Sequence, residues 1–209
     1  MAEELGIFAT DSGGSFETPE AGSYIARCYR MIDLGTLPQQ FEGKPAKPAR
    51  KVMVYWELLE DEDGEPVRME DGRPFSVSQE YTLSTNAKAN LRRDIDAWRG
   101  KALTDEEAKS FNITKLLDKF CRLNIVINDK GYPQIKGVSA TKKRPDSVNP
   151  ESWWSVTNPD MDVYEKFPEW LRNKIATAQE WGGKDPYTGG PAKEVGDEDE
   201  DVDVDDLQF

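Results

Sequence analysis

Apolar and polar residues alternate along much of the chain, and this alternation predicts strands before composition is considered. From Gly22 to Leu34 it places Tyr24, Ala26, Cys28, Ile32 and Leu34 on one face, with Ile25, Arg27, Tyr29 and Met31 on the other. Between Arg50 and Glu60, Val52, Val54, Trp56 and Leu58 point one way and Lys51, Met53, Tyr55 and Glu57 the other. Phe75, Val77, Tyr81 and Leu83 share a face opposite Ser76, Ser78, Glu80 and Thr82. Period two with β-branched and aromatic enrichment is the strand signature. The Gly- and Pro-bearing turns at 60–66 and 70–74 make the second and third strands an elongated hairpin.

Helical spacing follows. Ala87, Leu91, Ile95 and Trp98 recur at helical intervals after a cap at Thr85 or Asn86, and Gly100 stops the run. Thr104-Asp-Glu-Glu has the form of a capping box, and 113–120 adds a further turn or two. Strands then resume: Cys121, Leu123, Ile125 and Ile127 alternate with Arg122, Asn124 and Val126, and after Asn128-Asp-Lys-Gly a last strand runs from Tyr132 to Ala140. The fold class is mainly β: a five-stranded OB-like barrel with a helical insertion between strands 3 and 4. Other five-stranded barrels satisfy the same pattern. A C-terminal helix over 161–181, with Phe167, Leu171, Ile175 and Ala178 on one side and Pro168 near its first turn, is expected to pack on the barrel or on a second subunit of a homodimer.

Composition narrows the chemistry. The 209 residues suit one domain with appendages, or two small domains at most. The 6 Trp, 7 Tyr and 8 Phe are enough to build a core. There is no histidine, which removes Ser-His and Cys-His nucleophile pairs and the commonest zinc ligand. Cys28 and Cys121 each sit in an apolar run and read as small core residues. No Gly-Lys-Ser/Thr or Gly-x-Gly-x-x-Gly stretch occurs. The expectation is a protein that is not an enzyme and holds no metal and no cofactor. No run approaches the roughly 20 apolar residues of a membrane span, and the Met1-Ala-Glu-Glu start is not a signal segment, so a cytoplasmic protein without a membrane partner is expected.

The net charge of −13 is unevenly placed. Residues 194–209 hold nine acids and no base, whereas residues 22–150 hold 22 Lys and Arg against 19 Asp and Glu. This divides the chain into a flexible arm (1–18), an OB-like domain (19–145), a Trp-rich extension with a helix (146–181), a Gly/Pro linker (182–193) and an acidic tail (194–209). A run of acids this dense is expected to stay disordered.

The strand faces left outward offer Arg27, Tyr29, Lys51, Tyr55, Arg122, Asn124, Tyr132 and Lys136. The loop from Gly43 to Lys51 adds Lys44, Lys47 and Arg50. Cations follow phosphates and aromatic rings stack on bases of any sequence, which is what a single strand of nucleic acid requires. Those ten basic and aromatic residues, without Asn124, form the candidate site. In the tail, the acids (Asp203, Asp205 and Asp206 among them) hold the segment extended, and Leu207 and Phe209 supply an apolar anchor for partner proteins. Such a tail can also compete with nucleic acid for a basic groove at low salt.

This plan resembles the single-stranded DNA-binding proteins encoded by bacteriophages. The stretches that carry the resemblance are Pro19-Glu-Ala-Gly-Ser-Tyr-Ile-Ala-Arg-Cys, Ile32-Asp-Leu-Gly, Lys47-Pro-Ala-Arg-Lys-Val and the tail from Asp197 to Phe209. The likeness extends over 19–140 and the tail, which ends Leu-Gln-Phe where bacterial tails end Ile-Pro-Phe. It implies a protein of the bacterial host's cytoplasm that coats single-stranded DNA and recruits replication, recombination or repair proteins through its tail. An acidic protein-binding adaptor or DNA-mimic inhibitor is the alternative, favoured by the acidic hairpin at 60–71. A metal-carboxylate nuclease would need convergent acids, which the spacing of Asp94, Asp96, Asp105 and Glu106 does not demand.

Overall fold

Two long strands carry the architecture. In the computed structural model, which describes residues 17–41 and 44–182, β1 (Gly22–Phe41) pairs antiparallel with β2 (Lys44–Glu60) along nearly its whole length. Next come β3 (Ser76–Thr82), α1 (Asn90–Arg99), α2 (Asp105–Lys109), a 3-10 turn at Ile113–Leu116, β4 (Phe120–Ile127) and β5 (Pro133–Ser139). A short β6 (Ser152–Ser155), α3 (Met161–Tyr164), α4 (Glu169–Ala176) and a 3-10 turn at Gln179–Trp181 end the described chain. The strands form one six-stranded sheet. Its order is β3-β2-β1-β4-β5 with antiparallel neighbours, and β6 runs parallel to β1 at Arg30–Asp33. The sheet does not close, because no ladder joins β3 to β5 among the described residues; α1 packs against both strands at that seam.

The inner face holds the core the alternation predicts. Val52, Val54, Trp56 and Leu58 of β2 meet Val77, Tyr81, Cys121, Leu123 and Ile125, and α1 seals them with Leu91, Ile95 and Trp98. The Trp56 and Trp98 rings lie 5.7 Å apart, and Trp98 Nε1 donates to the Phe120 carbonyl at 2.9 Å. Cys28 and Cys121 are buried free thiols, and burial pushes both well up from their usual pKa.

The alternation fails inside β1, for a local reason. Cys28 pairs with Trp56 but Arg30 with Tyr55, so Tyr29 is an extra residue in a β-bulge. From there to Leu34 the side chains change face. Met31 turns into the inner core, while Ile32 and Leu34, expected there, join Tyr29, Met53 and Tyr55 on the opposite face.

That opposite face is covered by the chain that follows β5. Residues 141–151 cross it, β6 pairs with β1, and α3, α4 and the last turn pack on it. Trp154, Val156, Tyr164, Phe167, Leu171, Ile175 and Ala178 complete a second core with the strand residues. Instead of one helix over 161–181 there are two short ones. Pro168 is the reason: its ring disfavours a helical residue before it, and it caps α4 instead. The helices pack on the sheet of their own chain. Gly35 permits their approach, since it sits at φ +82° and a Cβ there would lie 2.8 Å from that of Ala178.

The capping box at Thr104 forms as its sequence predicts. Glu107 N–H donates to Thr104 Oγ1 at 3.1 Å, Thr104 N–H donates to Glu107 at 2.8 Å, and Arg99 Nη2 donates to Glu107 at 2.6 Å. The Arg99 bond first, and the Thr104 amide second, hold the Glu107 carboxyl down to about 2 from 4.5. A carboxylate depressed by folding stabilises the protein above its unfolded pKa and stops doing so as pH falls through its folded one. The difference in urea midpoint between wild type and Glu107→Gln is therefore expected to be constant above about pH 5 and to vanish between pH 4.5 and 2. A difference that persists at pH 2 contradicts this.

Candidate nucleic-acid interface

The structure divides the sequence-derived candidates. Arg27, Tyr29 and Tyr55 do not face solvent, because the segment after β5 covers that side of the sheet. Tyr55 is fully buried and Tyr29 5% exposed, their rings edge to face at 6.5 Å. The Tyr29 hydroxyl is 2.8 Å from Ser76 Oγ, and that of Tyr55 donates to Met53 Sδ at 3.0 Å. Burial pushes both phenols up in pKa. Neither ring offers a face to a base.

Arg27, 4% exposed, is the centre of a buried polar network. Its Nε donates to Glu57 Oε1 at 2.6 Å, Nη1 to Asp118 Oδ1 at 2.9 Å, and Nη2 to the Asn149 carbonyl. Glu57 Oε2 accepts three further bonds, from Val148 N–H at 3.2 Å and from Asn149 N–H and Nδ2 at 3.0 Å. Burial opposes the Arg27 charge, but the bonds to Asp118 and Glu57 outweigh it and raise its pKa. These two residues latch the crossing segment to the sheet.

The remaining candidates keep some access to solvent. Lys47 is exposed on the β1–β2 arm, whereas the side chain of Lys44 lies outside the described residues, as do Asp203, Asp205, Asp206, Leu207 and Phe209. Arg50 is half-exposed and forks onto Asp33 through Nε at 3.2 Å and Nη2 at 2.6 Å, bonds that raise its pKa. Asp33 also accepts from Ser155 Oγ at 2.7 Å, so Arg50 braces β6 as well. Arg122 donates to Ser23 Oγ at 3.3 Å. Tyr132 is 38% exposed at the start of the β5 hairpin.

Lys51 and Lys136 are brought together. Both line a cleft of about 670 Å³ at the open seam between β3, α1 and β5. Lys88 and Arg93, at the α1 end of the same cleft, were not among the sequence candidates. Two acids balance part of this charge: Glu80 lies 3.4 Å from Lys51 Nζ, and Asp94 takes Arg93 Nε and the Tyr81 hydroxyl, each at 2.9 Å. Four bases thus face two acids beside the unpaired edges of β3 and β5. No alternation pattern could reveal Lys88 and Arg93, since only the packing of α1 across the seam brings it to β5.

Charge is also polarised along the sheet. β2 begins Lys44, Lys47, Arg50, Lys51 and ends Glu57, Glu60, and the acids of 61–65 follow it. The basic end pairs with Thr82 of β3, which lines the seam, while the acidic end leads into the distal hairpin. Among the described residues, no group of three or more Asp, Glu or Cys side chains is placed to hold a metal ion, and no helix is long and apolar enough to cross a membrane. No protein-family model matches the chain, and no curated protein is significantly similar to it.

Proposed function

We propose that this protein binds single-stranded DNA with little sequence preference, on an OB-type barrel left open between its third and fifth strands. The observation that carries the reading is the seam cleft. It gathers Lys51, Lys88, Arg93 and Lys136 against two acids, Glu80 and Asp94, at the basic end of β2, whose own acids lie at its other end. A polyanion would be steered to that end despite the net charge of −13. The strand order β3-β2-β1-β4-β5, with a helix between β3 and β4, supports the barrel type. The acidic segment 194–209 would recruit partner proteins and compete for the cleft, as in the phage-encoded proteins the sequence resembles. The protein would then act in replication, recombination or repair in a bacterial host.

Fluorescence anisotropy with labelled oligo-dT tests this. Lys88→Glu with Lys136→Glu, both on exposed positions, is expected to weaken binding at least tenfold. It should also lower the salt slope by about 1.4, the value for two lost phosphate contacts. Deleting 194–209 is expected to tighten binding at low salt and to have little effect at high salt. An unchanged affinity in the double variant removes the seam from the interface. Absence of binding by full-length and tail-deleted protein alike overturns the function in favour of a protein-binding adaptor.

A further inference from the structure

Trp153 is the most exposed large apolar side chain among the described residues, at 59%. A single exposed tryptophan is unremarkable on a protein surface; its setting makes this one different. In β6 the two adjacent tryptophans must take opposite faces. Trp154 stacks on Tyr164 at 5.7 Å within the second core, and its indole donates to the Asp160 carbonyl at 2.9 Å. The ladder to Arg30–Asp33 then holds the Trp153 backbone fixed with its ring outward. The exposure is imposed by a rigid element.

That ring walls a pocket of about 690 Å³ shared with Thr114, Lys115, Leu117, Lys119 and one acid, Glu151. Lys115 and Lys119 are exposed, and neither has an ion-pair partner among the described residues. Their backbones are also hydrogen-bonded into the fold. Lys115 lies in the 3-10 turn capped by Asn112, and the Lys119 carbonyl accepts from Cys28 N–H at 3.1 Å. Two other acids close to them in the chain or in space are already paired, Asp118 with Arg27 at 2.9 Å and Glu107 with Arg99 at 2.6 Å. Lys115 and Lys119 also border a second pocket of about 470 Å³, where Arg99 lies over the Phe111 ring. An aromatic face and a lysine ridge therefore adjoin on one surface. A base and its adjoining phosphates present the matching chemistry.

We infer that Trp153, Lys115 and Lys119 form a nucleotide-stacking subsite for single-stranded DNA, with one base on the Trp153 indole and adjoining phosphates on the two lysines. The inference rests on the single-strand-binding reading and adds to it a contact region built by the C-terminal segment, apart from the seam.

Anisotropy titrations with oligo-dT over a range of salt concentrations test it on the full chain. Trp153→Ala is expected to weaken binding about tenfold, within the span measured for single stacked bases, while Trp153→Phe retains most of the affinity. Lys115→Glu with Lys119→Glu should lower the salt slope by about 1.4. Circular dichroism melts should stay at the wild-type midpoint, since all three side chains point to solvent. If wild type binds and all three variants match it, the subsite is overturned and the function stands. Loss of self-association by Trp153→Ala with unchanged DNA binding also overturns it, assigning the patch to a second copy of this chain. If wild type itself does not bind oligo-dT, both readings fall.

Discussion

Replacing Arg27 by methionine is expected to lower the stability of the folded protein by about 3–5 kcal/mol, the usual cost of removing one partner from a buried ion pair. Glu57 is completely buried, and without the guanidinium its charge would keep only the Val148 and Asn149 donors. Those bonds hold one oxygen and leave Oε1 unpartnered in a medium that solvates it poorly. Removing the carboxylate together with the guanidinium, as Arg27→Met with Glu57→Leu, is expected to recover much of the loss, because apolar side chains often replace a buried pair without net cost. Urea titrations with unchanged slope measure both. A loss below about 1 kcal/mol for Arg27→Met would mean that the network is not tightly coupled to folding. A second readout separates structure from binding. Under conditions where the variant is folded, its affinity for oligo-dT should equal that of wild type, because a guanidinium 4% exposed cannot reach a phosphate.

Arg27 also shows where the sequence is legible and where it is not. The inner core follows from alternation alone: Val52, Val54, Trp56 and Leu58 lie together as read, and the α1 stripe of Leu91, Ile95 and Trp98 seals them. Both signals are local, since side-chain direction in a strand or helix depends only on the element's own period. The outward face required two facts that no period contains. One is the bulge at Tyr29, which carries Ile32 and Leu34 away from the face they were assigned. The other is that the distant segment 141–182 lies over β1 and β2. Half-buried antiparallel sheets alternate apolar with polar, so an aromatic or a base opposite a core residue reads as exposed. Glu57 and Arg27 read as surface charge for that reason, although each is the other's partner. A trace of the covering was present: β2 has Met53, Tyr55 and Leu59 among its outward positions, more apolar than a solvated face needs. Trp153 was not legible, because nothing local marks 152–155 as a strand that β1 pairs with and so fixes which of the two tryptophans faces outward. Neither were Lys88 and Arg93, since their place at the seam is set by the packing of α1 on β3 and β5.

The covering segment also sets the largest stability effect in the molecule. A chain ending at residue 149 is expected not to fold cooperatively, whereas one ending at residue 182 should melt in a single transition. The shorter chain would leave Tyr29, Ile32, Leu34, Met53 and Tyr55, all now buried, facing water. Burying a large apolar side chain contributes about 1.5–3 kcal/mol, so uncovering five costs about 8–15 kcal/mol as an upper bound. That is as large as the whole stability of an ordinary domain, about 5–15 kcal/mol. The loss extends beyond transfer energy. Without β6 the edge of β1 at Arg30–Asp33 loses its parallel partner, and the Asp33 carboxylate keeps Arg50 and the Gly35 amide but loses Ser155. A single substitution samples the same effect in a chain that still folds. Trp154→Ala removes the ring against which Tyr164, Phe167 and Trp181 pack, and should cost about 3–5 kcal/mol. Near-ultraviolet circular dichroism during thermal melting, together with binding of a hydrophobic dye, reads both outcomes. A cooperative melt at the same temperature for the two truncated chains would show that the sheet is stable without its cover. The Tyr29 and Tyr55 face would then be available to a ligand, and the sequence-based assignment of those rings would regain its basis.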